Sequence, residues 1–283
     1  MSIAVVFEDN HVVVVDKPVG IATMGTAATD TSLAREIQSY LKQKYNKPGN
    51  VYLGIVSRLD TVTSGLIVFA KTSKAAHRLT TQFQQRMVEK WYVAAIPTVP
   101  QKMGTPPTDP NPTSWIESRH TVWEDIVWKD ETAHRMRVKR ATKRVASLGQ
   151  THSGTDGDTE QTAKLSWRFL GRGSTYDLVL LRLMTGRKHQ IRVQLADRGL
   201  PVLGDRKYGS SVPFSEGIAL HSWRLDFFHP ITKQRQAYSQ NVPNSWSQLE
   251  PLTVETDLPI ATELKTAKPV QLLGMLATHL QRR

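Results

Sequence analysis

The chain contains no cysteine, and that absence removes disulfides, thiolate metal sites and cysteine nucleophiles together. It lacks any apolar run approaching the ~20 residues that cross a bilayer, so no membrane-spanning helix is expected. The opening stretch MSIAVVFEDNH reaches Glu8 and Asp9 without the basic region that starts a secretory signal. These absences predict a cytoplasmic, soluble protein. The 9 histidines show no metal-ligand spacing, so neither a metal nor an organic cofactor is expected. No amphipathic helix with a basic face and an aromatic floor offers itself to a membrane surface. No internal repeat is found, and no exposed apolar stripe suggests a subunit interface, which favours a monomer.

Positive charge is what the chain has in excess. Its 37 Lys+Arg against 25 Asp+Glu leave a net charge of +12, whose far field attracts polyanions. A length of 283 residues suits two domains, or one large α/β or α+β domain with a tail.

β-Branched runs at residues 4–7 and 12–15, separated by Glu8, Asp9, Asn10 and His11, suit a hairpin that Lys17, Pro18 and Gly20 bring to an end. Leu33, Ile37 and Leu41 follow a Thr31/Ser32 cap signal at helical spacing, and Ala76, Leu79 and Phe83 predict a second helix. Residues 65–70 form a short, wholly apolar run that reads as a buried strand, and residues 88–96 and 175–184 read as further strands. The irregular alternation predicts an α+β fold: a mixed, mostly antiparallel sheet with flanking helices. The proline-rich stretch 97–112 reads as loop. Residues 134–164 begin with Arg135, Arg137, Lys139, Arg140, Lys143 and Arg144 and turn polar, which reads as an exposed insertion with a basic stem. Those cations suit a solvated strand face and an RNA contact equally.

Two segments carry candidate chemistry. In residues 56–72, VSRLDTVTSGLIVFAKT, the only carboxylate is Asp60, two positions after Arg58 and just before a buried strand. Taken alone it reads as a turn cap on the N–H of Val62 or Thr63. In TGRKHQIRVQLADRG, Gly186 permits a turn, residues 189–196 have helical spacing and Gly199 can stop the helix. Arg187, Lys188 and Arg192 then lie in a strand-to-helix turn where free N–H groups suit an anion, and Arg192 could pair with a buried Asp60.

Residues 57–66, SRLDTVTSGL, resemble the signature of RluA-type RNA pseudouridine synthases, His-Arg-Leu-Asp-x-x-Thr-Ser-Gly-Leu, in all but the first residue. VVVVDKPVGI (12–21), KWYVAAI (90–96), TGRKHQIRVQLADRGLPVLGDRKYG (185–209) and LHSWRLDFFHP (220–230) are similar to the family's other motifs in the same order. The resemblance implies the pseudouridine synthase fold with a central RNA-binding cleft. It also implies isomerisation of uridine in structured RNA, ribosomal RNA first and transfer RNA second. A catalytic domain over 1–243, carrying the insertion at 134–164, and a tail over 244–283 are expected. No small RNA-binding domain precedes a first strand that begins by Ile3.

Carried over by motif, Asp60 matches the catalytic aspartate, Tyr92 the active-site tyrosine and Arg192 the arginine that keeps the aspartate ionised. Arg58 matches the arginine that enters the RNA helix; Thr63, Arg187, Lys188, His189 and Gln190 fall in the motifs expected to contact substrate or RNA. A single acid suits an isomerase better than a hydrolase, which ordinarily uses two carboxylates. Ser57 replaces the family's histidine, Gln194 stands where a histidine is common, and Arg206 and Lys207 make their loop more basic. A non-catalytic RNA-binding module on the same fold is the rival class.

Overall fold

Val12, Val13, Val14 and Val15 are all fully buried, which requires cover on both faces of their strand. A computed structural model describes residues 3–25, 31–98, 121–140, 160–255, 258 and 264–281. Strands β1 (Ala4–Glu8) and β2 (Val12–Lys17) form the expected antiparallel hairpin. Asp9 shapes its turn, since Oδ1 accepts from the N–H groups of His11 at 2.7 Å and Val12 at 2.8 Å. Helix α1 (Leu33–Lys44) covers one face with Leu33, Ile37 and Leu41, against Val13, Val15, Ile67 and Phe69. Strand β4 (Ser64–Ala70) pairs antiparallel with β2, and the short β3 (Gly54–Ile55) pairs with its far end. Helix α2 (Ser73–Gln84) covers the other face, where Ala75 and Leu79 meet Val12, Val14, Leu66 and Val68.

The two helix starts are satisfied differently. Thr72 caps α2 with its own side chain, which accepts from Ala75 N–H at 3.2 Å. Ser32 makes no such side-chain bond at α1; the N–H groups of Leu33 and Ala34 reach back to the carbonyls of Ala22 and Thr23. That contact ties α1 to the segment after β2.

The chain divides into two compact units. The first comprises Met1–Val93, Phe214–Leu249 and Pro269–Arg283, and the second Ala94–Pro213 and Glu250–Lys268. Strand β5 (Glu89–Pro97) begins in the first and ends in the second. In the second unit, β6 (Thr121–Asp130), β7 (Arg135–Arg140), β8 (Gln161–Arg172) and β9 (Tyr176–Leu183) pair antiparallel in the order β7-β6-β8-β9. Helix α3 (Gln190–Asp197) packs Val193 against Val127 of β6, Met136 of β7 and Tyr208. Gly199, at φ +75°, ends it: Gly199 N–H returns to Ala196 and Leu200 N–H to Leu195, both at 3.0 Å.

The first unit is completed by β10 (Leu220–Phe228) and β11 (Arg235–Ser239), which pair antiparallel, while β10 lies parallel to β4. Residues 244–283 contribute β12 (Leu252–Val254) and β13 (Thr266–Ala267) to the second unit and α4 (Pro269–Gln281) to the first. The fold class is therefore α+β and mostly antiparallel, as predicted.

The stretch 134–164 differs from its reading as an exposed insertion. Residues 135–140 and 161–164 are strand, and 141–159, with Lys143 and Arg144, lie outside the described residues, as does 99–112 of the proline-rich stretch. Met136 turns inward to the core beside Val127, whereas Arg137 and Arg140 pair with Asp130 at 2.9 Å and Asp197 at 2.6 Å. Charge density hid a strand whose apolar face is only Met136 and Val138 wide.

Candidate active site

Asp60 lies on the loop between β3 and β4, half-buried, and its neighbours' main chain is held from several directions. Thr23 Oγ1 both donates to the Leu59 carbonyl at 2.9 Å and accepts the Leu59 N–H at 3.1 Å. Thr63 N–H donates to the Asp60 carbonyl at 3.1 Å, so the turn closes through main chain. Gly20 N–H donates to Thr61 O at 2.8 Å and Ile218 N–H to Val62 O at 3.2 Å. Segments before α1 and before β10 thus fix the loop's path. Beyond it, β4 enters its pairing with β10 at Ser64 and Gly65, opposite His221 and Ser222.

Lys17, at the end of β2, is 0% exposed beneath this loop. Its ammonium donates to the carbonyls of Pro18 at 2.8 Å, Ile21 at 2.9 Å and Thr61 at 3.3 Å. Burial pulls the ammonium down to about 8, against the opposing pull of Asp60 and Asp16. Sequence reading placed Lys17 only as a strand-ending residue. The tertiary structure makes it the buried cation of the Asp60 loop, and Lys-Pro-x-Gly was the available signal.

Asp16 is the second finding that sequence reading missed. Burial raises its carboxyl to about 6, although a Gln240 side-chain hydrogen bond and the Lys17 charge act the other way. Asp60 is therefore not the sole acid acting on Lys17. The two differ in setting: Asp16 belongs to β2 and hydrogen-bonds Gln240, whereas Asp60 belongs to the loop.

Tyr92 of β5 is 6% exposed, and burial raises its hydroxyl well above the usual phenol range, with Asp60 adding to the rise. Its hydroxyl shares a hydrogen bond with the Ser222 side chain. Asp60 and Tyr92 are thus brought together within the first unit. Next to Ser222, His221 is fully buried, with Nδ1 2.9 Å from Ser64 Oγ and Nε2 3.2 Å from Gln240 O; burial lowers its pKa to about 4, so it is neutral at pH 7. Thr63 is buried and Arg58 is exposed.

The remaining predicted residues lie in the second unit. Arg192 makes a two-pronged pair with Asp205, Nε to Oδ2 at 2.7 Å and Nη2 to Oδ1 at 2.8 Å, both side chains buried. Its guanidinium also lies 5.0 Å from the centre of the Tyr208 ring. His189 adopts the left-handed conformation at φ 52° and sets Nδ1 2.8 Å from the Tyr208 hydroxyl. Buried Gln190 knits the turn: its Oε1 accepts from Thr185 Oγ1 at 2.8 Å and Arg187 N–H at 3.0 Å, and its Nε2 donates to Lys164 O at 3.1 Å.

This turn differs from the open anion cradle suggested by its sequence. The Arg187 N–H is taken by Gln190, and Arg192 is held by Asp205. Lys188 is exposed, and Arg187 Nε donates to Thr162 O at 3.0 Å. Gln194, where the resemblance suggests histidine, donates to Asp125 Oδ2 at 2.7 Å, and Arg198 completes a buried cluster on the same carboxylate. Among the described residues no group of three or more His, Cys, Asp or Glu could hold a metal ion. Nor, among them, is any helix long and apolar enough to cross a membrane.

A lone loop carboxylate whose charge reaches a buried ammonium and a buried phenol can act as nucleophile or base beside an aromatic hydroxyl. Known proteins share these features. Ribosomal large subunit pseudouridine synthase D of Nitrosomonas europaea is 29% identical over 259 residues, covering 88% of this chain and 64% of that protein. An uncharacterised RNA pseudouridine synthase of Aquifex aeolicus is 29% identical, over 88% of this chain and 72% of its own. The chain thus spans less than two thirds of the Nitrosomonas protein. Among solved structures, human RNA pseudouridylate synthase domain containing 4 superposes with a TM-score of 0.62 at 22% identity, over 85% of this chain and 89% of that one. Human RNA pseudouridylate synthase domain containing 1 gives 0.60 at 20%, over 100% and 96%. These likenesses speak for the fold. The RNA pseudouridylate synthase family model matches residues 11–197, more than half of the chain, and this protein belongs to that family.

Proposed function

We propose that this chain isomerises uridine to pseudouridine in structured RNA, with Asp60 as the catalytic carboxylate. The observation that carries the reading is Asp60 itself, on a loop pinned through Leu59, Thr61 and Val62, with its charge acting on Lys17 and on the Tyr92 hydroxyl.

The reaction breaks the bond from N1 to C1′, turns the freed uracil and joins C5 to the same sugar carbon. N1 gains a proton and C5 loses one, so no oxidant or further group is consumed. Asp60 acts either as nucleophile at C1′ or as base at C2′, and both routes need its ionised form. Assignment of Arg192 as the guanidinium that keeps Asp60 ionised rests on its motif alone. Tyr92 stacks on the turned base and its hydroxyl assists the C5 proton. The target nucleotide must leave the helix, because C1′ and C5 are inaccessible within a stack. Exposed Arg58 suits entry into the vacated space, and exposed Lys188 with Arg187 suits phosphate contact. Thr63, His189 and Gln190 support these segments from within. The net charge of +12 adds backbone affinity that falls with salt.

Ribosomal RNA is the first substrate to test and transfer RNA the second; the Nitrosomonas relative's name supports that order. The decisive measurement is tritium release from C5-labelled uridine in bulk RNA by wild type and Asp60→Asn. Release by wild type and none by the variant is expected. Equal release would remove Asp60 from the chemistry, and no release by either on any RNA would favour a non-catalytic RNA-binding module.

A further inference from the structure

Ser222 is 1% exposed, and its register is set by the parallel pairing of β10 with β4, which places it opposite Gly65. A serine hydroxyl has one proton. Here that proton is committed, because Ser222 Oγ donates to the Leu66 carbonyl at 3.0 Å. The hydrogen bond between Ser222 and Tyr92 therefore has only one polarity: the tyrosine O–H donates and the serine oxygen accepts. The chain Tyr92 O–H to Ser222 Oγ–H to Leu66 O has a single direction, ending on a strand carbonyl that cannot turn. With its proton aimed at Ser222, the Tyr92 oxygen keeps its lone pairs for other partners, and Asp60 is near enough for its charge to be felt there.

We infer that Ser222 is the positioning residue of the Tyr92 hydroxyl: it takes the tyrosine proton's hydrogen bond and so orients the phenol oxygen as an acceptor for the migrating C5 proton. This rests on the isomerase reading and deepens it. Ser222 touches no substrate atom; it acts through Tyr92 from β10, on the strand face that also carries neutral His221.

The test is a double-mutant cycle of Ser222→Ala and Tyr92→Phe, read as kcat and KM for tritium release, with thermal unfolding of each protein. Ser222→Ala is expected to lower kcat roughly tenfold with little change in KM, and to have no further effect once the Tyr92 hydroxyl is gone. Ser222→Cys, nearly isosteric but a poor acceptor, is expected to lose kcat in the same direction should the alanine variant not fold. Full kcat in Ser222→Ala, or losses that multiply in the double variant, would overturn the inference and leave the Asp60-dependent reaction standing. Full kcat in Tyr92→Phe would overturn it as well. A readout independent of turnover is the carbon-13 signal of the Tyr92 ring carbon bearing oxygen, recognised by its loss in Tyr92→Phe. It should shift in Ser222→Ala; an unmoved signal overturns the inference even if the protein isomerises nothing.

Discussion

Gly65 lies so close to Ser222 that a β-carbon on it would stand 2.4 Å from the Ser222 carbonyl oxygen and 2.6 Å from its nitrogen. Its φ of +111° is also one that side chains rarely adopt. Both obstacles are backbone, so neither yields to a rotamer change. Gly65→Ala is expected to destabilise the protein by at least ~2 kcal/mol in urea unfolding and to lower turnover by displacing the Asp60 loop upstream. Unchanged stability would mean that β10 and β4 separate easily.

Lys17→Met keeps the bulk of a fully buried side chain and removes its charge and its bonds to Pro18, Ile21 and Thr61. Expected is a fall in kcat of about tenfold or more, from a barrier increase of about 1.4 kcal/mol, with KM less affected. Because Lys17 titrates at about 8, the wild-type rate should fall on the alkaline side of that value as a donor to the loop is lost. Comparing kcat against pH for the two proteins checks both points: the limb near 8 should be missing from the variant.

Asp16 and Asp60 both act on Lys17, and their substitutions should differ. Asp16→Asn is expected to retain tritium release, in contrast to Asp60→Asn. Since burial raises the Asp16 carboxyl to about 6, its ionised form costs stability above that pH, and the cost is relieved as pH falls toward the ordinary carboxylate value. Asp16→Asn should therefore be more stable than wild type at pH 8 and gain nothing at pH 4. Loss of release in Asp16→Asn would instead indicate a working pair of carboxylates.

His221 is buried and neutral, with its pKa lowered to about 4. Between the ordinary histidine value near 6.5 and about 4, the unfolded chain binds a proton that the folded chain refuses. The contribution is complete above the upper value and is lost as pH falls through the window, amounting to about 3 kcal/mol. Urea titrations from pH 7.5 to pH 4 should show this acid limb in wild type, and a flatter one in His221→Gln.

Asp205→Asn leaves the buried Arg192 without its carboxylate and is expected to cost about 3–5 kcal/mol of stability. Combining it with Arg192→Met, which removes the orphaned charge, should recover part of that loss. Equal destabilisation by the single and double variants would mean that the pair contributes shape alone.

The core strands were readable because their environment leaves a mark on composition. Residues 12–15 and 65–70 are continuously apolar since α1 and α2 bury both faces of β2 and β4. Strands β7 and β8 left a weaker mark: one face of β7 carries Arg135, Arg137 and Lys139, so the cations dominated its reading. Asp60 stood out through the spacing of its motif. Lys17, by contrast, looks like any lysine at a strand end until the Asp60 loop, 44 residues away, is laid over it.

Sequence by itself determined the family motifs, the α+β class and the identity of the residues that carry the candidate chemistry, because each is encoded within a few neighbouring positions. Only the tertiary structure decided their partners: Asp205 for Arg192, Gln190 for the Arg187 N–H, Asp16 alongside Asp60 at Lys17, and Ser222 for Tyr92. A hydrogen bond or an ion pair acts over a few ångströms in space. The residues that make it can stand far apart along the chain, and no local pattern records which of them will meet.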